Sequence, residues 1–261
     1  MLSSILPTFS RLDLAINPPV AIVTLRNPQL NIIDMPMMDE LANALKAVEA
    51  CADVTTLIFT GDGQHFSAGV DIAAHVPETV REMLTKFHAV IRALVKLQKV
   101  TIAAVRGNAL GGGAELALMC DMIYCTEESR WGFPEIQLAC FPPVASVALA
   151  AAVGQKRAAE MVLTGQIIHG DEALHMGLVN DAVPDAELDS RVEEVAEQLS
   201  HLSPAALRIT KKALYAWDAI HFDKGLARAE QIYLEELVQT EDAREGIVAW
   251  MEKRPPKWKG K

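Results

Sequence analysis

Apolar and polar positions fall into two short β-like runs at the start of the chain, Arg11–Ile16 and Val20–Leu25. Between them, Asn17-Pro18-Pro19 has the residue types of a hairpin turn. The period then lengthens. Met38, Leu41, Leu45 and Val48 recur at spacings of three and four, which predicts a helix over Met37–Ala50, with Asp34 and Pro36 as its start. Thr55–Thr60 reads as a short apolar strand closed by the turn Gly61-Asp62-Gly63. The same grammar repeats as helix Pro77–Leu97, strand Val100–Val105, a glycine loop, helix Ala114–Cys120 and strand Met122–Thr126. Strands that alternate with helices predict an α/β fold with a substantially parallel sheet, because parallel neighbours need a long crossover. From Ala145 the pattern is mainly helical, and Ser203-Pro204 reads as an N-cap followed by proline at the first helical position, leading into Ala205–Ala216. The expected division is an α/β core over residues 1–195 and a helical part over 196–261.

Composition narrows the possibilities. The 261 residues are 51% hydrophobic and 22% charged, enough to bury one large core. Against 24 Lys and Arg stand 34 Asp and Glu, a net charge of −10, which disfavours nucleic acid or an anionic membrane as partner. Only the tail Lys253, Arg254, Lys257, Lys259 and Lys261 is locally basic. Cys51, Cys120, Cys125 and Cys140 have neither a zinc spacing nor the density of a disulfide scaffold. The opening MLSSILPTFSRLDLAI lacks the charged and apolar regions of a signal peptide, and no apolar run reaches the ~18 residues of a membrane span. The expectation is a reduced, soluble, cytoplasmic protein.

Two loops carry candidate chemistry. In Val105–Glu115 a strand ends, Gly111-Gly112-Gly113 follows, and a helix begins, so backbone N–H groups can approach negative charge on a ligand. Neither a dinucleotide fingerprint nor a P-loop is matched, and close packing of helix on strand accounts for the glycines equally well. The second loop, Gly63–Asp71, contains the small residues Ser67, Ala68 and Gly69, and the two loops together could give two donors to one oxygen. Glu115 lies in the first turn of its helix, where the dipole alone suits an acid, and Glu135 lies among aromatic and proline residues that would raise its pKa. The seven histidines form no HExxH, and no serine sits in a G-x-S-x-G elbow, so a metal site and a serine hydrolase are both disfavoured.

In order, Val23–Asn31, Phe66–Asp71, Thr101–Asp121, Phe133–Glu135, Thr164–Pro184 and Glu241–Pro255 closely resemble the enoyl-CoA hydratase/isomerase, or crotonase, superfamily. The resemblance implies a crotonase-like α/β fold of repeated ββα units with a C-terminal helical trimerisation region that helps cover a neighbour's acyl-CoA pocket. It implies a homo-oligomer, a trimer or dimer of trimers, with an acyl-CoA thioester as substrate and no separate cofactor, coenzyme A being part of the substrate. The N–H groups of Ala68 and Gly112 become the oxyanion hole. Ala68, Gly69, Val70 and Asp71 line the CoA path, with Arg26, Lys211 and the basic tail as candidate cations for its 3′-phosphate. Glu115 and Glu135 match the two glutamates that handle water and proton in the hydratases. One departure is Phe141-Pro142-Pro143-Val144-Ala145-Ser146, where typical hydratases carry Pro-Gly-x-Gly-Gly. That segment, with Asn31–Asp34 and Ser67–His75, is similar to the cyclohexa-1,5-diene-1-carbonyl-CoA hydratases. An ordinary short-chain enoyl-CoA hydratase and a noncatalytic or RNA-binding member of the fold are the alternatives.

Overall fold

The structure, a computed structural model, describes residues 9–216 and 218–261. The reading of the chain's start falls largely on Met1–Thr8, outside the described residues. The expected hairpin is present: β1 (Leu12–Asn17) pairs antiparallel with β2 (Val20–Leu25). Crossovers then add parallel neighbours. Helix α1 (Met35–Ala50) leads to β3 (Thr56–Gly61), and α2 (Val80–Lys96) to β4 (Val100–Val105). After β5 (Asn108–Leu110) and α3 (Gly112–Leu118) the chain returns as β6 (Met122–Thr126). The Asp34 carboxylate accepts from Met37 N at 2.9 Å and caps α1, while β4 is buried along its whole length, as a central parallel strand must be.

Beyond β6 come β7 (Arg130–Gly132), α4 (Pro143–Val153), α5 (Gln155–Thr164), β8 (Ile167–His169), α6 (Gly170–Met176) and β9 (Asp181–Val183). Four helices follow: α7 (Leu188–Ser200), α8 (Pro204–Leu214), α9 (Asp218–Glu235) and α10 (Glu241–Met251). The main sheet has the order β1-β2-β3-β4-β6-β9, and a second, three-stranded sheet has the order β5-β7-β8. Strands β5, β7, β8 and β9 depart from the sequence expectation. Each is three residues long, too short to establish a period of two, and β9 completes the main sheet from inside the stretch expected to be helical. Helix α3 begins at Gly112 rather than Ala114, because Gly111 supplies the turn at φ +50°.

The helical ending has no core of its own. Phe222, Leu226 and Tyr233 of α9 and Ile247 of α10 are buried in the same apolar cluster as β2, α1 and α2. Helix α10 lies against the turn Pro134–Leu138, with the backbone at Gly246 so close to the Leu138 carbonyl that no Cβ would fit. Tyr233 of α9 and Trp250 of α10 line a pocket of their own chain. Among the described residues no helix is long and apolar enough to cross a membrane.

Candidate active site

The two candidate loops are knitted together by main-chain bonds. Ser67 N donates to Asn108 O at 2.9 Å and Leu110 N to Ser67 O at 3.0 Å, a short parallel bridge between the 63–71 loop and β5. On its other side this loop meets the Asn31–Ile33 segment: Ser67 Oγ donates to Asn31 O at 2.8 Å, and Ala68 N to Leu30 O at 2.9 Å. That last bond corrects the expectation for Ala68, whose N–H is already committed inside the protein. The open donor lies two residues on. Ile33 N donates to Gly69 O at 2.9 Å and Asp71 N to Ile33 O at 3.3 Å, so the bridge consumes the groups flanking Val70 and leaves the N–H of Val70 itself facing away from Ile33.

It faces Gly112. A Cβ built on Gly112 would stand 3.4 Å from Val70 N and collide with the Val70 side chain. Gly112 opens α3, and its N–H has no acceptor within the helix. Two unspent backbone donors thus converge, at Val70 and Gly112, where the sequence had pointed to Ala68 and Gly112. Gly69 makes the turn between them possible, with φ +114° and only 3.1 Å from where its Cβ would be to Leu110 O. Asp71 is spent locally, its carboxylate accepting from Ala73 N at 3.0 Å to cap the short turn Ile72–His75.

Both glutamates enter the same cavity, of about 210 Å³, bordered also by Ala68, Gly69, Val70 and Gly112. Glu115 is 3% exposed. Its Oε1 accepts from Ala145 N at 2.9 Å, at the N-terminus of α4, so the segment that departs from the hydratase pattern is the one that holds this carboxylate. Burial nevertheless pushes its pKa up to about 7, against the opposing pull of the Ala145 and Val144 N–H groups. Glu135 lies across Gly111, where an added Cβ would be 2.6 Å from Oε1. Its Oε2 is buried without a partner. Burial first, and the Glu115 charge second, push its pKa up to about 8. The two carboxyls therefore titrate as one pair near neutrality, and the N–H groups bonded to Glu115 favour its ionised form, which leaves the proton to the unpartnered Glu135.

Of the remaining walls the sequence had singled out only the departing Phe141–Ser146 segment, of which Phe141, Pro142 and Pro143 border the cavity. Met83, Leu84, Phe87 and His88 come from α2, Leu138 to Pro143 from the segment after Glu135, Tyr233 from α9 and Trp250 from α10. The signal for His88 was present: it falls on the buried apolar stripe of α2, one turn after Leu84. Most of the proposed phosphate cations are engaged in ion pairs of their own. Arg26 pairs with Asp13 and Asp62, Lys211 with Asp121 at 2.7 Å, Arg254 with Glu245 and Glu252, and Lys259 and Lys261 with Glu241.

Sequence comparison now bears on this geometry: the family model for enoyl-CoA hydratase/isomerase matches residues 15–261. The chain belongs to the enoyl-CoA hydratase/isomerase family. Among curated relatives of this family, the 2,3-dehydroadipyl-CoA hydratase of Escherichia coli K12 is 34% identical over 93% of this chain and 96% of its own length. The cyclohexa-1,5-dienecarbonyl-CoA hydratase of Thauera aromatica is 30% identical over 91% of this chain and 92% of its own. The crystal structure of an enoyl-CoA hydratase from Mycobacterium avium subsp. paratuberculosis superposes with a TM-score of 0.87 at 28% identity, covering 97% of this chain and all of that one. The expected crotonase fold is therefore found, and the hydratase names of the relatives agree with the expectation of a hydro-lyase.

Proposed function

We propose that this chain hydrates an α,β-unsaturated CoA thioester, and that its preferred substrate is cyclohexa-1,5-diene-1-carbonyl-CoA. One observation carries the reading: two buried carboxyls that share a proton stand in one cavity with two unspent N–H donors, from Val70 and Gly112. The thioester carbonyl sits on the two donors, which hold the enolate oxygen as charge develops there; one such donor is worth ~10²–10³ in rate. Glu115, the carboxylate of the pair, takes a proton from water. Glu135, which carries the proton, gives it to carbon, each transfer adding a factor of ~10²–10⁴. The CoA path then runs past Ala68 to Asp71.

In the cyclic diene, hydroxide adds at C2. The electron pairs shift through C1 and C6, and the proton arrives at C5, leaving one ring double bond and 6-hydroxycyclohex-1-ene-1-carbonyl-CoA. Support for this narrower assignment comes from the Phe141–Ser146 segment at the cavity wall and from the Thauera relative. The cavity is larger than the ~150 Å³ that encloses a benzene ring in an engineered protein core. The reading includes the benzoyl-CoA degradation that such a substrate implies, a cytoplasmic setting supported by four unpaired cysteines, and a trimer or dimer of trimers. Helix α8 supports the last point, since it buries no residue and exposes Ile209 and Leu214.

The second reading, an ordinary short-chain enoyl-CoA hydratase, is favoured by the Escherichia coli relative, a 2,3-dehydroadipyl-CoA hydratase. Rates on crotonyl-CoA and on the cyclic diene separate the two. In heavy water the cyclic product carries deuterium at the carbon that was C5 of the diene under the first reading; faster turnover of crotonyl-CoA, or label at the α carbon C1 alone, establishes the second.

A further inference from the structure

Among the described residues four side-chain polar atoms are buried without a hydrogen-bond partner: Thr56 Oγ1, His88 Nε2, Glu135 Oε2 and Tyr233 Oη. Three of the four belong to side chains bordering one cavity, the one that holds Glu115 and Glu135. A buried polar atom left unpaired costs ~1–3 kcal/mol, so their concentration at one cavity marks where a ligand is to supply partners. Glu135 is accounted for by proton transfer, and Tyr233 Oη has the Cys140 thiol beside it. His88 has no role in the reaction so far.

The histidine is fixed from behind. Its Nδ1 lies 2.6 Å from Glu230 Oε1, and the same oxygen accepts from Arg92 Nη2 at 2.9 Å. The His88 hydrogen bond first, and the Arg92 guanidinium after it, hold Glu230 below the usual carboxylate range, and an ionised carboxylate at Nδ1 fixes the N–H on that nitrogen. Nε2 is then a bare lone pair, an acceptor that cannot donate. Burial holds the imidazole below its ordinary pKa, in the same neutral state. A histidine whose purpose was to tie α2 to α9 would need only Nδ1. The second nitrogen, on a side chain that is fully buried at the acyl wall, remains unexplained by packing.

We propose that His88, oriented by Glu230 and Arg92, is a specificity residue of the acyl pocket, whose Nε2 accepts a hydrogen bond from a hydroxyl on the acyl group. The site therefore favours hydroxylated acyl-CoA thioesters, of the kind a hydration produces or a dehydration consumes, over apolar ones of the same shape. This rests on the reading of the cavity as an acyl-CoA pocket. It does not depend on which double bond is hydrated.

Unreactive thioesters test it without recourse to turnover. Cyclohexanecarbonyl-CoA and its 3- and 4-hydroxy derivatives, both epimers of each and none of them open to β-elimination of water, are titrated calorimetrically into the protein. At least one hydroxylated ring should bind ~10-fold more tightly than the parent, the worth of one well-made buried hydrogen bond. His88→Phe should abolish that preference while binding the parent ring as the wild type does. A second measurement needs no variant: in ¹⁵N-histidine-labelled wild type, the Nε2 resonance of His88 should move upfield with the preferred hydroxylated thioester and stay in place with the parent. Binding of every hydroxylated ring within threefold of the parent overturns the proposal, as does a preference that survives in His88→Phe or an Nε2 resonance indifferent to the hydroxyl. If the parent thioester binds no better than coenzyme A itself, the acyl-pocket reading fails, and this proposal falls with it.

Discussion

The cavity has two walls of different origin. One is built from adjacent stretches of chain: Val70 and Gly112 on two loops joined by main-chain bonds, Glu115 one turn into α3, and Glu135 just beyond β7. The other comes from α2, α9 and α10, whose contributions are separated by most of the sequence. The first wall presents charge and backbone donors, and the second presents Phe87, His88, Tyr233 and Trp250. Chemistry common to acyl thioesters needs only the first. On the proposed reading the second wall, together with Phe141 to Pro143, selects the acyl group, so the two walls should fail differently when altered.

The largest effect is expected at Gly112. Proline is compatible with the first position of a helix, but Gly112→Pro deletes one of the two oxyanion donors and drives its ring into the Val70 side chain. Turnover should fall by at least ~10²–10³ for every thioester tested, with circular dichroism verifying that the sheet is retained. Unchanged kcat in a folded variant would remove Gly112 from the oxyanion hole. Glu115→Gln and Glu135→Gln come next, each losing at least ~10²-fold in kcat on all substrates alike. A variant of either glutamate that loses one substrate and keeps another would blur the distinction between the walls.

The pH profile sharpens it further. On the proposed mechanism the productive form has Glu115 ionised and Glu135 protonated, so kcat/KM should fall below the lower pKa of the pair, as the base is protonated, and above the higher one, as the acid is lost. Because the Glu115 charge raises the pKa of Glu135, the residual activity of Glu115→Gln should lose its basic limb at a lower pH than wild type. A limb that does not move would mean the two carboxyls do not interact.

The smallest effect is on stability, and it has the opposite sign to the effect on rate. Both folded carboxyls bind protons more tightly than in the unfolded chain, so stability is greatest below the ordinary glutamate range and declines as pH rises through the raised values. Replacing either with uncharged glutamine should therefore stabilise the protein at pH 8, by of order 1–3 kcal/mol, and leave it nearly unchanged at pH 4. Thermal denaturation at the two pH values measures this. A loss of stability at pH 8 would show that the bond from Ala145 N to Glu115, or the contact of Glu135 with Gly111, matters more than desolvation.

The same division explains what could be read before the structure. The main strands, the helical stripe of α1, the proline start of α8 and both glutamates were legible, because each is announced by residues within a few positions of it. The oxyanion donor was placed two residues too early. What decides between Ala68 and Val70 is pairing with Leu30 and Ile33, more than thirty positions away, and the loop's own composition does not record it. Likewise His88 could be seen as a histidine on an apolar face, but only packing against Glu230 shows which of its nitrogens is left over. Three-residue strands carry too few alternations to be seen at all.

The closure of the cavity by α9 and α10 also sets an order in time. Synthesis completes the donors and both glutamates long before Tyr233 and Trp250 exist, so the cavity lacks that wall until α9 and α10 have been made and have docked. The desolvation that raises the carboxyl pKa values is complete only once the wall is in place. The tuning of the two acids thus depends on helices made after them, and a ligand that needs the closed pocket meets only molecules in which those helices have docked.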